Sequence, residues 1–200
     1  MKNILITLCF LFSICTFSQK TEEYNLFIAN IKKESKVDKT DNQVLNLLND
    51  FYQQALQSDD GELDRDISTR IQNLYSNKKS KNMQILTMFL AYQEHLNQTA
   101  AVGQLPNSNF QLNLISDLEN ELQITYNTVP AIIRIYKVEA LNSDGKIKES
   151  GELVRSSLIE YPNSIPLKVY KYLSDREDSV KNDLVKNHSN HWMVQQFEIK

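Results

Sequence analysis

The sequence predicts an all-α protein built from antiparallel helical hairpins stacked side by side, a short α-solenoid of about eight to nine helices. Three observations predict it. Apolar residues recur at spacings of three and four along most of the chain, as one buried face of a helix requires. No convincing run of strict alternation, the mark of a half-buried strand, interrupts them. Two kinds of turn, one built on Asp-Gly and one on Tyr, Asn and Pro, alternate on a scale of about 35 residues.

The chain opens on "MKNILITLCFLFSICTFSQK": one Lys, an apolar stretch from Ile4 to Phe17, then small polar residues. That order predicts a signal peptide over residues 1–18, cut before Gln19 with Thr16 and Ser18 in the two small-residue positions. The apolar stretch is short for a membrane span, which takes about 20 residues. Cys15 follows "LFSI" as a lipid-attachment cysteine would, but Ile14 stands where Gly, Ala or Ser is usual, so lipidation is the less favoured reading. Cys9 and Cys15 both lie in this segment, leaving residues 19–200 without a disulfide or a thiol ligand. The whole chain carries 22 basic and 25 acidic residues, a net charge of −3, which becomes −4 once Lys2 is removed. Interspersed charges with no basic block point away from nucleic acid and from anionic membrane surfaces. Export therefore predicts a periplasmic, cell-surface or secreted protein, a single domain with no membrane-spanning segment after cleavage.

The helices follow in order. Residues 22–35 fit a helix, and 22–36 are expected to cap the start. "DNQVLNLLNDFYQQAL" (41–56) sets Val44, Leu47, Leu48, Phe51, Ala55 and Leu56 on one stripe, with Asp41 placed as N-cap. Residues 62–76 follow, then "MQILTMFLAYQEHL" (83–96), apolar round much of its circumference and so expected at the centre. "NFQLNLISDLENELQITY" (109–126) repeats at Phe110, Leu114, Leu118 and Leu122. Shorter helices fit 130–142, 146–160, 166–174 and 177–187. The pairs are 41–57 with 61–77, 80–99 with 109–127, 130–142 with 146–161, and 165–175 with 177–188. The tail 188–200, carrying Trp192, Met193, Val194, Phe197 and Ile199, is expected to cap the last open face.

"SDDGEL" (58–63) and "NSDGKI" (142–147) share a small polar residue, Asp-Gly, a charge and an aliphatic; each Gly suits the left-handed conformation that ends a helix. "ITYNTVPAIIRIY" (124–136) aligns with "IEYPNSIPLKVYKY" (159–172) once Pro162 is taken as an insertion, and "LYSN" (74–77) is a fainter copy. On these residues the chain resembles the tetratricopeptide repeat family, chiefly over 130–188. With Pro162 as the closing Pro, the unit starts near Ala131, and Ser150 and Val154 stand where the family has Ala and Phe. Arg134, Lys137, Val138 and Leu141 depart from its Trp, Leu, Gly and Tyr. The resemblance implies stacked hairpins with a surface for a protein or peptide partner. The competing architecture is a nonrepetitive helical bundle.

No residue is assigned a catalytic, cofactor or metal role. "HSNH" puts His188 and His191 three apart, but two ligands are too few and His95 lies on another helix. The Asp-Gly turns fail the calcium-loop pattern, with Leu56 or Ala140 at its first position. Acid pairs such as Asp59 with Asp60 or Glu119 with Glu121 read as solvated faces. Neither a nucleophile elbow nor a Gly-rich phosphate loop is present. Tyr126, Tyr136, Tyr161, Tyr170 and Tyr172 cluster in the C-terminal half; Tyr126 and Tyr161 hold equivalent turn positions and read as packing, which leaves Tyr170 and Tyr172 as candidate partner-binding residues. The expected function is an exported, noncatalytic scaffold for a protein or peptide. The alternatives are a small exported enzyme or envelope-assembly factor with a site assembled from separate helices, and a bundle holding a small apolar ligand around Met83, Phe89 and Phe110.

Overall fold

The structure, a computed structural model, describes residues 22–200; the predicted signal segment and Cys15 lie outside the described residues. Among the described residues the chain is helical without a strand. Ten α-helices follow in order: α1 (Glu22–Glu34), α2 (Gln43–Tyr52), α3 (Arg65–Ser76), α4 (Met83–Ala101), α5 (Ser108–Tyr126), α6 (Ala131–Ser143), α7 (Ile147–Glu160), α8 (Ile165–Asp175), α9 (Asp178–Asn187) and the short α10 (Trp192–Gln196). From α4 to α9 each helix packs on the next. Helix α4 extends past the expected end at 96, since no breaker intervenes before Gly103. Asp41 stands one residue ahead of the cap position, which Asn42 holds, and its carboxylate accepts the Gln43 N–H at 2.9 Å.

The stripe on α2 buries Val44, Leu47, Leu48, Phe51 and Tyr52. Its last turn, Gln53–Gln57, widens to π spacing. That register brings Gln57 under the Tyr52 hydroxyl, which donates to Oε1 at 2.7 Å, and lets Gln57 bond the Asn163 carbonyl and the Ile165 N–H at the start of α8. A π turn is rare and confined to single turns, and here it carries the side-chain bridge from the first hairpin to the last.

An open solenoid brings each unit against its sequence neighbours only. Here α2 also packs on α6, and its π turn on α8. The physical reason is an aromatic column: Phe51 meets Phe89 of α4 edge-on at 5.1 Å, and Tyr136 of α6 stacks on Phe89 at 6.2 Å and on Tyr92 at 5.1 Å. Phe89 and Phe110, proposed as walls of an apolar ligand pocket, are packed within this core at 1% and 4% exposure. A second, smaller cluster joins Ile165, Val169 and Leu184 to Met193, Val194 and Ile199 of the tail. Helix α1 is tied to α5 by the Tyr24 hydroxyl on Asp117 (2.6 Å), by Tyr24 edge-on to Phe110, and by Lys32 with Glu121.

The turns repeat. Gly61, Gly103 and Gly145 each hold a positive φ inside a hairpin and are equally spaced along the chain. At the joints between hairpins the tyrosines of the repeated motif reach back one unit. Tyr126 accepts from Asn82 Nδ2 at 2.8 Å, and Tyr161 donates to the Val129 carbonyl at 2.5 Å. Asn82, wholly buried with φ +58°, also bonds the Asp38 and Asp41 carbonyls and the Asp38 N–H.

The two Asp-Gly turns differ in what surrounds them. A Cβ on Gly145 meets nothing within 4 Å, so Gly145→Ala is expected to lose only the left-handed penalty, about 1–2 kcal/mol. A Cβ on Gly61 lies 2.9 Å from the Trp192 indole. Gly61→Ala is therefore expected to cost clearly more and to move Trp192, which thermal unfolding and tryptophan emission of the two variants will compare.

Candidate functional site

Tyr136 and Glu139 lie three apart on α6 and so share one face of it. Around them stand Tyr92 and Gln93 of α4, Gln111 of α5 and Tyr170 of α8. The Tyr170 hydroxyl donates to Glu139 Oε1 at 2.7 Å, the Tyr92 hydroxyl to the Tyr136 carbonyl at 3.1 Å, and Gln93 Nε2 to the Tyr136 hydroxyl at 2.5 Å. Gln111 reaches the Tyr92 hydroxyl at 3.4 Å. Glu139 is half-buried over its whole surface, but its carboxyl end is enclosed, and that desolvation raises its pKa from 4.5 to about 7 against the opposing pull of the Tyr170 hydrogen bond. Burial, with Glu139 as the neighbouring charge, pushes the Tyr170, Tyr136 and Tyr92 hydroxyls up, so they stay protonated. Chemically the cluster is one carboxyl that exchanges a proton near neutrality, set among neutral donors.

A second feature opens to solvent. Between α2 and α3 runs a groove of about 290 Å³ lined by Gln43, Asn46, Arg70, Asn73, Leu74, Asn77 and Ser80. Helix α3 buries only Ile67 and Leu74, so much of its surface stays open. Asn46 and Asn73 are exposed on facing helices. Arg70 is balanced by Asp50 at 2.6 Å and Asp66 at 3.4 Å, which leaves the groove polar without an uncompensated cation.

The candidate partner-binding tyrosines are both half-buried. Tyr170 turns its hydroxyl inward to Glu139, and Tyr172 packs against the second cluster with the Arg176 guanidinium 5.3 Å from its ring centre. The acid pairs separate: Glu119 binds Arg134 and Lys137, Glu121 binds Lys32, and Asp60 accepts from Ser58 and the Glu62 N–H within its own turn. The histidines separate too. His95 Nε2 accepts the Asn107 N–H at 3.0 Å, His191 is buried against the Leu56 carbonyl, and His188 is half-buried. Among the described residues no group of three or more His, Cys, Asp or Glu is gathered as metal ligands would be, and no helix is long and apolar enough to cross a membrane.

Sequence reasoning singled out neither Glu139, the groove amides nor Asn82. A signal for Glu139 was present: Ile132, Ile135, Tyr136 and Glu139 form one helical stripe, and an acid on an apolar stripe marks a buried carboxyl. No known family model, curated protein or solved structure matches this chain.

Proposed function

We propose that the protein is an exported, noncatalytic helical-repeat scaffold that holds an extended segment of a protein partner in the α2–α3 groove. The amide lining carries this reading. A primary amide offers a carbonyl acceptor and an NH2 donor together, the complement of a peptide unit. Residues four apart on a helix are separated by about 6 Å. Peptide groups facing the same way along an extended chain recur at about 6.6 Å. Asn73 and Asn77, the residue that caps the end of α3, keep that spacing with Gln43 and Asn46 opposite; Asn77 offers its NH2, since its Oδ1 accepts the Lys79 N–H at 3.0 Å. The helical-repeat part of this reading is supported by the equally spaced turn glycines, 42 residues apart against the roughly 34 of a tetratricopeptide unit, and by the backward-reaching Tyr126 and Tyr161.

A second reading, an exported enzyme with a site built from separate helices, is favoured by Glu139 and the three tyrosines around it. Capture from the native envelope separates the two. The double variant Asn46→Ala with Asn73→Ala is expected to lose at least about tenfold in partner recovery, roughly 1.4 kcal/mol. Its melting temperature should hardly change, because both side chains are exposed. Equal recovery by variant and parent would remove the groove from the proposal.

A further inference from the structure

The last segment of the chain is fastened to the turn of the first hairpin. The backbone N–H of Trp192 donates to the Asp59 carbonyl at 2.9 Å, and the indole covers Gly61. His191, with 0% exposure, joins the same turn. Its Nδ1 accepts the Met193 N–H at 3.2 Å, so the proton of the neutral ring sits on Nε2 and is donated to the Leu56 carbonyl at 3.0 Å. Both ring nitrogens are in use. A second proton would have to sit on Nδ1, facing an N–H in place of an acceptor, and would put a charge where there is no water.

The surroundings compensate only in part. The turn after α2 contributes the Asp59 carboxylate, and the segment itself contributes His188. Helices α8 and α9 meet it with the apolar Ile165, Val169 and Leu184. Burial lowers the His191 pKa from 6.5, with His188 acting the same way, while the Leu56 carbonyl and Asp59 raise it.

We infer that residues 191–199 form an acid-released latch that holds the first hairpin against the last, closed while the His191 ring is neutral and open once it carries a second proton. The sign follows from the depressed value. The open form binds more protons than the closed one below pH 6.5, so closure is complete above that pH and is lost as pH falls through the lower value of the closed form. The groove proposed above plays no part in this inference, which stands or falls on the latch alone.

Trp192 is the only tryptophan and lies in the latch, so its emission reports the state directly. Emission of the full chain is followed from pH 8 to pH 4.5 beside far-ultraviolet circular dichroism, with His191→Gln, His188→Gln and Glu139→Gln as companions. The expected result is a red shift with a midpoint below pH 6.5 at unchanged helix content, kept in His188→Gln and Glu139→Gln and absent in His191→Gln. A His191→Gln chain that is already red at pH 8 and no longer responds supports the latch equally, since the parent reaches that emission only on acidification. Constant emission, a shift that coincides with loss of helix, or a His191→Gln chain that titrates like the parent would overturn it.

Discussion

Phe89→Ala is expected to destabilise the protein by about 3–5 kcal/mol, the range for emptying a fully buried aromatic site. Phe89 is 1% exposed and stands in the middle of the column, with Phe51 of α2 edge-on to it and Tyr136 of α6 stacked on it. Removing the ring leaves a cavity between three helices and also breaks the contact that turns the first hairpin toward the third. Denaturant unfolding measures the loss. A double-mutant cycle of Phe51→Ala with Phe89→Ala isolates the edge-on pair, with a coupling of about 0.5–1.5 kcal/mol expected. A loss below about 1 kcal/mol for Phe89→Ala would contradict the closed packing.

Glu139→Gln is expected to stabilise the protein at pH 8 and to leave it unchanged near pH 4.5. The folded carboxyl has a pKa of about 7 against an ordinary 4.5, so between those values the folded chain binds more protons than the unfolded one. Parent stability therefore falls as pH rises through that window and is lowest above pH 7. A shift of that size corresponds to roughly 3 kcal/mol. Glutamine keeps an oxygen for the Tyr170 hydroxyl and has no charge to desolvate. Unfolding free energies at both pH values test this, and equal stability of variant and parent at pH 8 would show that the carboxyl is not enclosed. The effect runs opposite to that of His191: acidification neutralises the enclosed Glu139 carboxylate and loosens the latch.

How much was legible in the sequence varies from element to element. The spacing of Val44, Leu47, Leu48 and Phe51 predicts both the existence of α2 and its buried face. The Asp-Gly turns predict where hairpins reverse, because only a few residues accept the left-handed backbone that Gly61 and Gly145 adopt. Gly103 obeys the same rule, but after Ala101 and Val102 it has no Asp-Gly context to mark it as a turn. The three histidines illustrate the limit. His188 and His191 stand three apart, too few for a metal site, and the fold gives each histidine its own neighbour: a loop amide for His95, a distant carbonyl for His191, and the C-terminal end of α9 for His188. Tyr170 likewise reads as a surface anchor until α6 places Glu139 opposite it.

By itself, then, the chain determined what is periodic and local: helices, their buried stripes, the turns and the order of the hairpins. Those follow from backbone sterics and from apolar spacing, which act over a few residues. Only the tertiary structure decided that α2 lies on α6, that Gln57 and Leu56 meet segments more than a hundred residues away, and that Glu139 holds its proton near neutrality. Such contacts depend on which faces come together in space. Desolvation in particular is a property of the enclosure and not of the residue.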